Sequence, residues 1–297
     1  MGKECITMAR QLKALMIGAH PDDCDFRCAG LTMRYVEAGH KVKYISMTDG
    51  SGGHQNMEPA ALAARRFKET QAVAAYAGIE YDVWDITDGR LVATLEARER
   101  LIREIRTYKP DIIITHRTCD YHPDHRNTAM LVQDASYLLI VPNICPDVAP
   151  LEKMPVILFF YDGFLHPIFK PDIVVSLDGY MDRKMEMLSQ HESQIFEWLP
   201  YTYGQFEDVP KDPAARLEWL HEPRVTEKTT DDEILNTPLN YVASELRDAV
   251  PAVKYRDKLI ERYGEEKGRA VRFAESYEVS EYGAPLTEEE AKVLFPF

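Results

Sequence analysis

Leu15-Met16-Ile17-Gly18, followed at once by Ala19-His20-Pro21-Asp22-Asp23, is the stretch on which the reading of this chain turns. A short apolar run ending in glycine reads as a buried strand, and Pro21 turns the chain directly after it. The pattern recurs downstream. Asp111-Ile112-Ile113-Ile114-Thr115 is a second such run, and His122-Pro123-Asp124-His125 follows it. Around these two segments, strand-like and helix-like stretches alternate. Ala29 to Ala38 is helical and closed by Gly39, Val42 to Met47 is a strand, and Thr48 to His54 is a Gly-rich loop. A long helix runs from Pro59 to Ala77, with proline in its first turn and Gly78 at its end. Tyr81 to Ile86 is a third strand, and Thr94 caps a helix reaching Tyr108, broken by Pro110. Another helix covers 127–139, although Pro123 is also well placed as a first helical residue, with His122 at the cap.

Strands alternating with helices of this length predict a doubly wound α/β fold on a parallel sheet with right-handed crossovers. Ligands of such sheets bind beyond the carboxyl ends of the strands, where strand order reverses. With the order 3-2-1-4-5, the strands preceding the two motifs are neighbours, and topology alone brings the motifs together. Four prolines between Val141 and Pro155 predict an irregular loop serving as a rim or lid. Strands resume at 156–161 and 173–176, and a helix spans 181–190. Beyond Trp198 the chain is acidic and aromatic, with helical stretches at 214–220 and 239–263. Neither a Gly/Ser linker nor an internal repeat divides the 297 residues, so a single domain is expected over 1–297, with a core at about 13–196 and a C-terminal elaboration at 197–297.

Composition excludes several classes. The chain is 45% hydrophobic and 28% charged, the proportions of an ordinary globular protein. Its net charge of −14 argues against a nucleic-acid partner, which requires a basic face. No apolar run is long enough for a membrane span. Met1 to Arg10 lacks the apolar region of a secretory signal, and Ile6 fails the myristoylation pattern after Gly2. Five irregularly spaced cysteines do not form a disulfide framework, which points to a reducing compartment and the cytoplasm.

The chemistry lies in the two motifs. His20 and Asp23, three apart in a tight turn, can converge on one ion while Asp22 projects elsewhere. With His125 they form a two-nitrogen, one-carboxylate set, the pattern of a catalytic zinc with one position left for water. Asp22 is then suited to take the water's proton. His122 can stabilise the oxyanion or protonate the leaving amine, and Asp124 can fix its tautomer. Cap and turn roles explain either motif singly; two copies, each directly after an apolar strand, are harder to explain that way. The same ligand types suit a non-haem Fe(II) oxygenase, but Asp22 and His122 would then be idle, and Fe²⁺ remains an alternative ion to Zn²⁺.

At these residues the chain resembles the PIG-L (LmbE-like) N-deacetylases. The resemblance rests on Ala19 to Asp23 and Asp120 to His125, with further agreement at Thr48 to His54, Arg66-Phe67-Lys68-Glu69, Asp88-Gly89-Arg90-Leu91, Lys109-Pro110-Asp111, Lys184, His191-Glu192-Ser193-Gln194 and Ala274-Glu275-Ser276-Tyr277. It covers residues 13–196 closely and the remainder loosely. It implies a Rossmann-like fold, a zinc site of His20, Asp23 and His125, Asp22 as base, His122 as electrophilic or acid partner, and removal of an N-acetyl group from an N-acetylglucosamine-type sugar. It also implies a substrate contact for Arg66. A tyrosine two residues before the first His of the second motif assists catalysis in some members; Asp120 stands there and Tyr121 is one residue late, so that role is not transferred.

His54, in the Gly-rich loop, is a second substrate-binding candidate, against a plain exposed loop histidine. His191 reads equally as a helix-end residue. Cys24 and Cys28, at helical spacing with no other thiol nearby, read as buried structure. Trp198, Tyr201, Tyr203 and Trp219 offer rings for a sugar, although core packing is the simpler reading. Three rivals stand beside a deacetylase. A nucleotide-binding module lacks its Gly-x-Gly-x-x-Gly turn here. A non-catalytic binding protein would not require the complete ligand set. An amidase for larger acyl groups or thiol conjugates would need a deeper pocket. The expected partner is a small N-acetylated sugar or conjugate, with a homo-oligomer a plausible assembly.

Overall fold

The computed structural model describes residues 10–237 and 245–297. Residues Met1 to Ala9 of the expected N-terminal reading, and the start of the helix expected at 239–263, lie outside the described residues; the rest of that stretch forms two helices, Leu246–Lys254 and Arg256–Tyr263. Seven strands make one sheet: β1 (Lys13–Gly18), β2 (Lys41–Ser46), β3 (Glu80–Val83), β4 (Ile112–Thr115), β5 (Val156–Phe160), β6 (Ile173–Ser176) and β7 (Ala274–Val279). Their order is β3-β2-β1-β4-β5-β7-β6. The five strands from β3 to β5 pair in parallel, and β7 runs antiparallel to both neighbours. Among the described residues no helix is long and apolar enough to cross a membrane.

Strands β1, β4 and β5 read as unbroken apolar runs because both faces of the sheet are covered. Ala14, Met16, Ile112 and Ile114 face a layer containing α1 (Asp23–Glu37) and α2 (Pro59–Ala77). Leu15, Ile17 and Ile113 face the opposite way, toward α3 (Leu95–Tyr108) and α4 (Pro123–Ser136). Each fully buried Leu or Ile in these layers contributes roughly 1.5–3 kcal/mol of transfer free energy. Local signals set the ends. Pro59 opens α2 and Gly78 closes it at φ 70°, while the Thr94 hydroxyl accepts from the Ala97 N–H at the start of α3.

Four features depart from expectation. Helix α1 starts at Asp23 rather than Ala29, so the first motif runs straight into it; Cys24 and Cys28 lie one turn apart on its buried side as free thiols. Helix α4 starts at Pro123 and ends at Ser136, followed by one 3-10 turn, Tyr137–Ile140. The C-terminal third is more than an elaboration, because β7 inserts between β5 and β6 and completes the central sheet. Finally, the Pro-rich loop is no lid. It leads into the amino end of β5, and β5 is parallel to β4, so the loop lies at the end of the sheet opposite the motifs. It is also pinned. Arg106, on α3 and fully buried, donates to the carbonyls of Leu138, Leu139, Val141, Ile144, Cys145 and Val148.

Candidate active site

Strands β1 and β4 lie side by side, with Ala14 opposite Ile112 and Ile17 opposite Thr115. The loops leaving their carboxyl ends therefore meet, as expected from strand order. Gly18 allows the first loop to fold back tightly: a Cβ there would come within 2.8 Å of the Asp23 Cβ.

Donor atoms of three residues converge between the loops. His20 Nδ1 lies 3.2 Å from His125 Nε2 and 3.5 Å from Asp23 Oδ2, while His125 Nε2 lies 3.4 Å from Asp23 Oδ1. Bonds of about 2.0–2.2 Å to a tetrahedral ion give ligand–ligand edges of roughly 3.3–3.6 Å, so the spacing suits a small divalent cation.

The outer nitrogens decide what the inner ones present. His125 Nδ1 is 2.9 Å from Asp120 Oδ1, and His20 Nε2 faces Asp88 Oδ1 at 3.1 Å and Asp124 Oδ2 at 3.3 Å. A carboxylate near each outer nitrogen favours a ring proton there and turns the other nitrogen of each ring toward Asp23. The surroundings draw positive charge to this point, whether as a proton on His20 or as a metal cation. Burial lowers the affinity of His20 for a proton, but Asp124, Asp23 and Asp88 together raise its pKa well above the ordinary value. Burial would push the Asp23 carboxyl up, yet His125 and His116, with hydrogen bonds from His116 and His20, hold it well below its usual range.

The expected role of Asp124 is corrected here. Its carboxylate accepts from the N–H groups of Gly89 and Leu91, at 2.7 and 3.1 Å, and faces His20. The His122 ring meets instead the backbone N–H of Asp124, which donates to His122 Nδ1 at 3.2 Å. His122 thus caps α4, and its Nε2 is the protonated nitrogen. Burial, aided by His20 and His125, lowers the His122 pKa, keeping the ring neutral.

Asp22 stands at the N-cap of α1 but makes no side-chain cap hydrogen bond. Its Oδ2 pairs instead with Arg66 Nη2 at 2.9 Å. Burial raises the Asp22 carboxyl, and Arg66 opposes the shift only in part. Arg66 itself is 2% exposed, and it also donates to the carbonyls of Pro21 and Gly50. Instead of the expected direct contact with substrate, its guanidinium is committed to Asp22 and to these two loops. Gly50 permits that approach, at φ 65° and with Arg66 Nη1 only 2.5 Å from where a Cβ would sit.

His54 joins neither motif. Its Nε2 lies 2.8 Å from Glu197 Oε2 and its Nδ1 accepts from the N–H groups of Asn56 and Met57. Both ring nitrogens are used, and Arg65 forks onto the same Glu197. His54 therefore latches its loop in place and has no nitrogen left for a substrate. His191 is fully buried, 3.2 Å from Asp25 Oδ1. Trp198 stacks on Tyr201 at 5.9 Å, and Trp219 packs near Phe196.

Three participants were missed in the sequence. His116, stacked on His125 with ring centroids 4.0 Å apart, places Nε2 3.2 Å from Asp23 Oδ2. Burial, with His125 nearby, lowers its pKa to about 4, so it is a neutral donor. Its position directly after β4 was the available signal. Asp88 and Asp120 lie within the segments that carry the resemblance, and nothing in their spacing ties them to a particular histidine.

The family model described as GlcNAc-PI de-N-acetylase, PIG-L, matches residues 15–136. A diacetylchitobiose deacetylase of Thermococcus kodakarensis is 30% identical over 204 residues, 64% of this chain and 74% of that protein. A 4-oxalmesaconate hydratase of Pseudomonas putida is 24% identical over 200 residues, 65% of this chain and 78% of that one. The N,N'-diacetylchitobiose deacetylase of Pyrococcus horikoshii superposes with a TM-score of 0.63, covering 91% of this chain and 84% of its own at 23% identity, which is a likeness of fold.

Proposed function

The chain belongs to the PIG-L family of de-N-acetylases, and on that premise we infer that it is a zinc-dependent hydrolase removing the acetyl group from an N-acetylglucosamine-type sugar or conjugate. The observation that carries this reading is the pair of inward-facing imidazole nitrogens, 3.2 Å apart beside the Asp23 carboxylate. His20, Asp23 and His125 are the proposed ligands, with the carboxylates of Asp88, Asp124 and Asp120 orienting the two rings. A divalent cation bound there supplies Lewis acidity and acidifies a water molecule.

The remaining work falls to side chains. Asp22 takes a proton from the attacking water at Oδ1, the oxygen that Arg66 leaves free. Burial that raises its pKa makes it a better base than an exposed aspartate. His122 donates from Nε2 to the oxygen that becomes negative as water adds to the amide carbon. The proton collected by Asp22 then passes to the leaving nitrogen, which departs as an amine, and acetate is released. All 297 residues act as one domain in this reading, because β7 belongs to the sheet that carries the site. The free thiols Cys24, Cys28, Cys119 and Cys145 support a cytoplasmic setting.

The test is release of acetate from a panel of N-acetylglucosaminides. Activity is expected to disappear on chelation and return with Zn²⁺. Full activity after complete metal removal would overturn the reading, and release of larger acids in preference to acetate would redirect it to a broader amidase.

A further inference from the structure

Tyr121 is 73% exposed and yet held in place. Arg126, on α4, donates to the carbonyls of Asp120 and Tyr121 at 2.8 and 2.9 Å, so the backbone carrying the ring is tied to the helix that carries His125. The ring stands edge-to-face against His122 at 5.8 Å and 77°, and against His125 at 5.5 Å and 76°. Phe164, in the loop after β5, approaches it at 6.3 Å. An aromatic ring exposed to this degree forgoes the favourable burial available to most tyrosines. Here it rises beside a centre otherwise lined with imidazoles and carboxylates. Such a wall suits a ligand with a polar edge and a C–H face, and a pyranose is that kind of molecule: hydroxyls around the rim, axial C–H groups on the flat side.

We propose that Tyr121 is the specificity-determining platform of this site, its ring stacking on the C–H face of the sugar whose acetamido group reaches His122 and the His20–Asp23–His125 cluster. The proposal rests on the deacetylase reading for the identity of the reacting group, but the platform itself is a binding claim. It assigns the ring, and not the phenol hydroxyl, the leading part. Tyr121 lies at the rim, and Arg126 holds its backbone carbonyl and not its side chain, so substitutions there keep the loop tied to α4.

The experiment compares Tyr121→Ala, Tyr121→Phe and Tyr121→Trp with the parent protein, on N,N'-diacetylchitobiose and on acyclic N-acetylethanolamine. Y121A is expected to raise KM for the saccharide tenfold or more while kcat stays within about threefold, and Y121F and Y121W to stay near the parent. Turnover of N-acetylethanolamine is expected to be the same in all four proteins. An unchanged KM in Y121A, a tenfold loss of kcat in Y121F, or an equal loss on both substrates overturns the platform. Saturation-transfer NMR with N,N'-diacetylchitobiose separates this claim from the one beneath it. Saccharide binding that Y121A abolishes, in a protein that releases no acetate, ends the deacetylase reading and leaves the platform standing. Absence of saccharide binding by the parent protein at millimolar concentration ends the platform.

Discussion

The two motifs share His-Pro-Asp and use it in opposite ways. In the first, the histidine ends the strand loop and turns its ring into the centre, and helix α1 begins only at Asp23. In the second, proline opens the helix one residue after the histidine, so His122 becomes the cap and the inward nitrogen belongs to His125, one turn on. The third residue diverges as well. Asp22 leaves its helix uncapped to pair with Arg66, whereas Asp124, in the first turn of α4, crosses to the His20 of the other motif. Identical tripeptides thus acquire different chemistry from the point at which the helix begins. They are also interlocked, since a carboxylate of the second motif orients the histidine of the first.

Substitutions at matched positions break or sharpen this contrast. The largest effect is expected from His20→Ala, which removes a proposed ligand: bound zinc measured by atomic absorption and activity should both fall to background. Asp22→Asn should retain the metal while kcat falls by about 10²–10⁴, the usual contribution of a general base; loss of zinc in this variant would show that the two neighbouring aspartates had been given each other's roles. His122→Ala, the sequence counterpart of His20→Ala, should also keep the metal and lose roughly 10²–10³ in kcat, as removal of an oxyanion donor does. If it instead loses zinc, the motifs are equivalent after all. Asp120→Asn should weaken metal affinity by about 10–100-fold, measured by competition with a chelating dye, with little change in kcat at saturating zinc.

The smallest effect lies outside both motifs. Burial raises the Glu197 carboxyl, but the hydrogen bonds of Arg65 and His54 outweigh this and place its pKa below the ordinary value. Its folded pKa is therefore the lower of the two, and its stabilising contribution is fully present above the unfolded carboxylate range. That contribution is lost as pH falls through the folded value. Glu197→Gln should flatten the acid limb of urea-unfolding midpoints measured from pH 6 down to about pH 3, the range below the unfolded carboxylate value, leaving zinc content unchanged.

Much of this arrangement was legible in the sequence because it is carried by local pattern. The Ile112-Ile113-Ile114 run, Pro59 with Gly78, and Pro123 each specify their own element, and strand order then brings the motifs together. What was not legible depends on contacts between distant segments. Asp88 and Asp120 are ordinary loop acids until folding sets them against His20 and His125. For Arg66 the resemblance implied a substrate contact, and a charged side chain on a helix carries no sign of the carboxylate it will meet. β7 was missed for a related reason: Ala274 to Val279 lies between the two antiparallel neighbours that bury it, and neither is close in sequence. The Pro-rich loop was misplaced because proline content announces irregular backbone and says nothing of which end of the sheet it occupies.

Arg106 has a consequence for how this protein can change. All six of its acceptors are main-chain oxygens, an atom that every amino acid supplies. The grip therefore reads the path of the 138–148 segment and is indifferent to most of its side chains. Substitutions along this segment that keep its backbone path leave all six contacts in place, so a single arginine holds the trace of a whole loop.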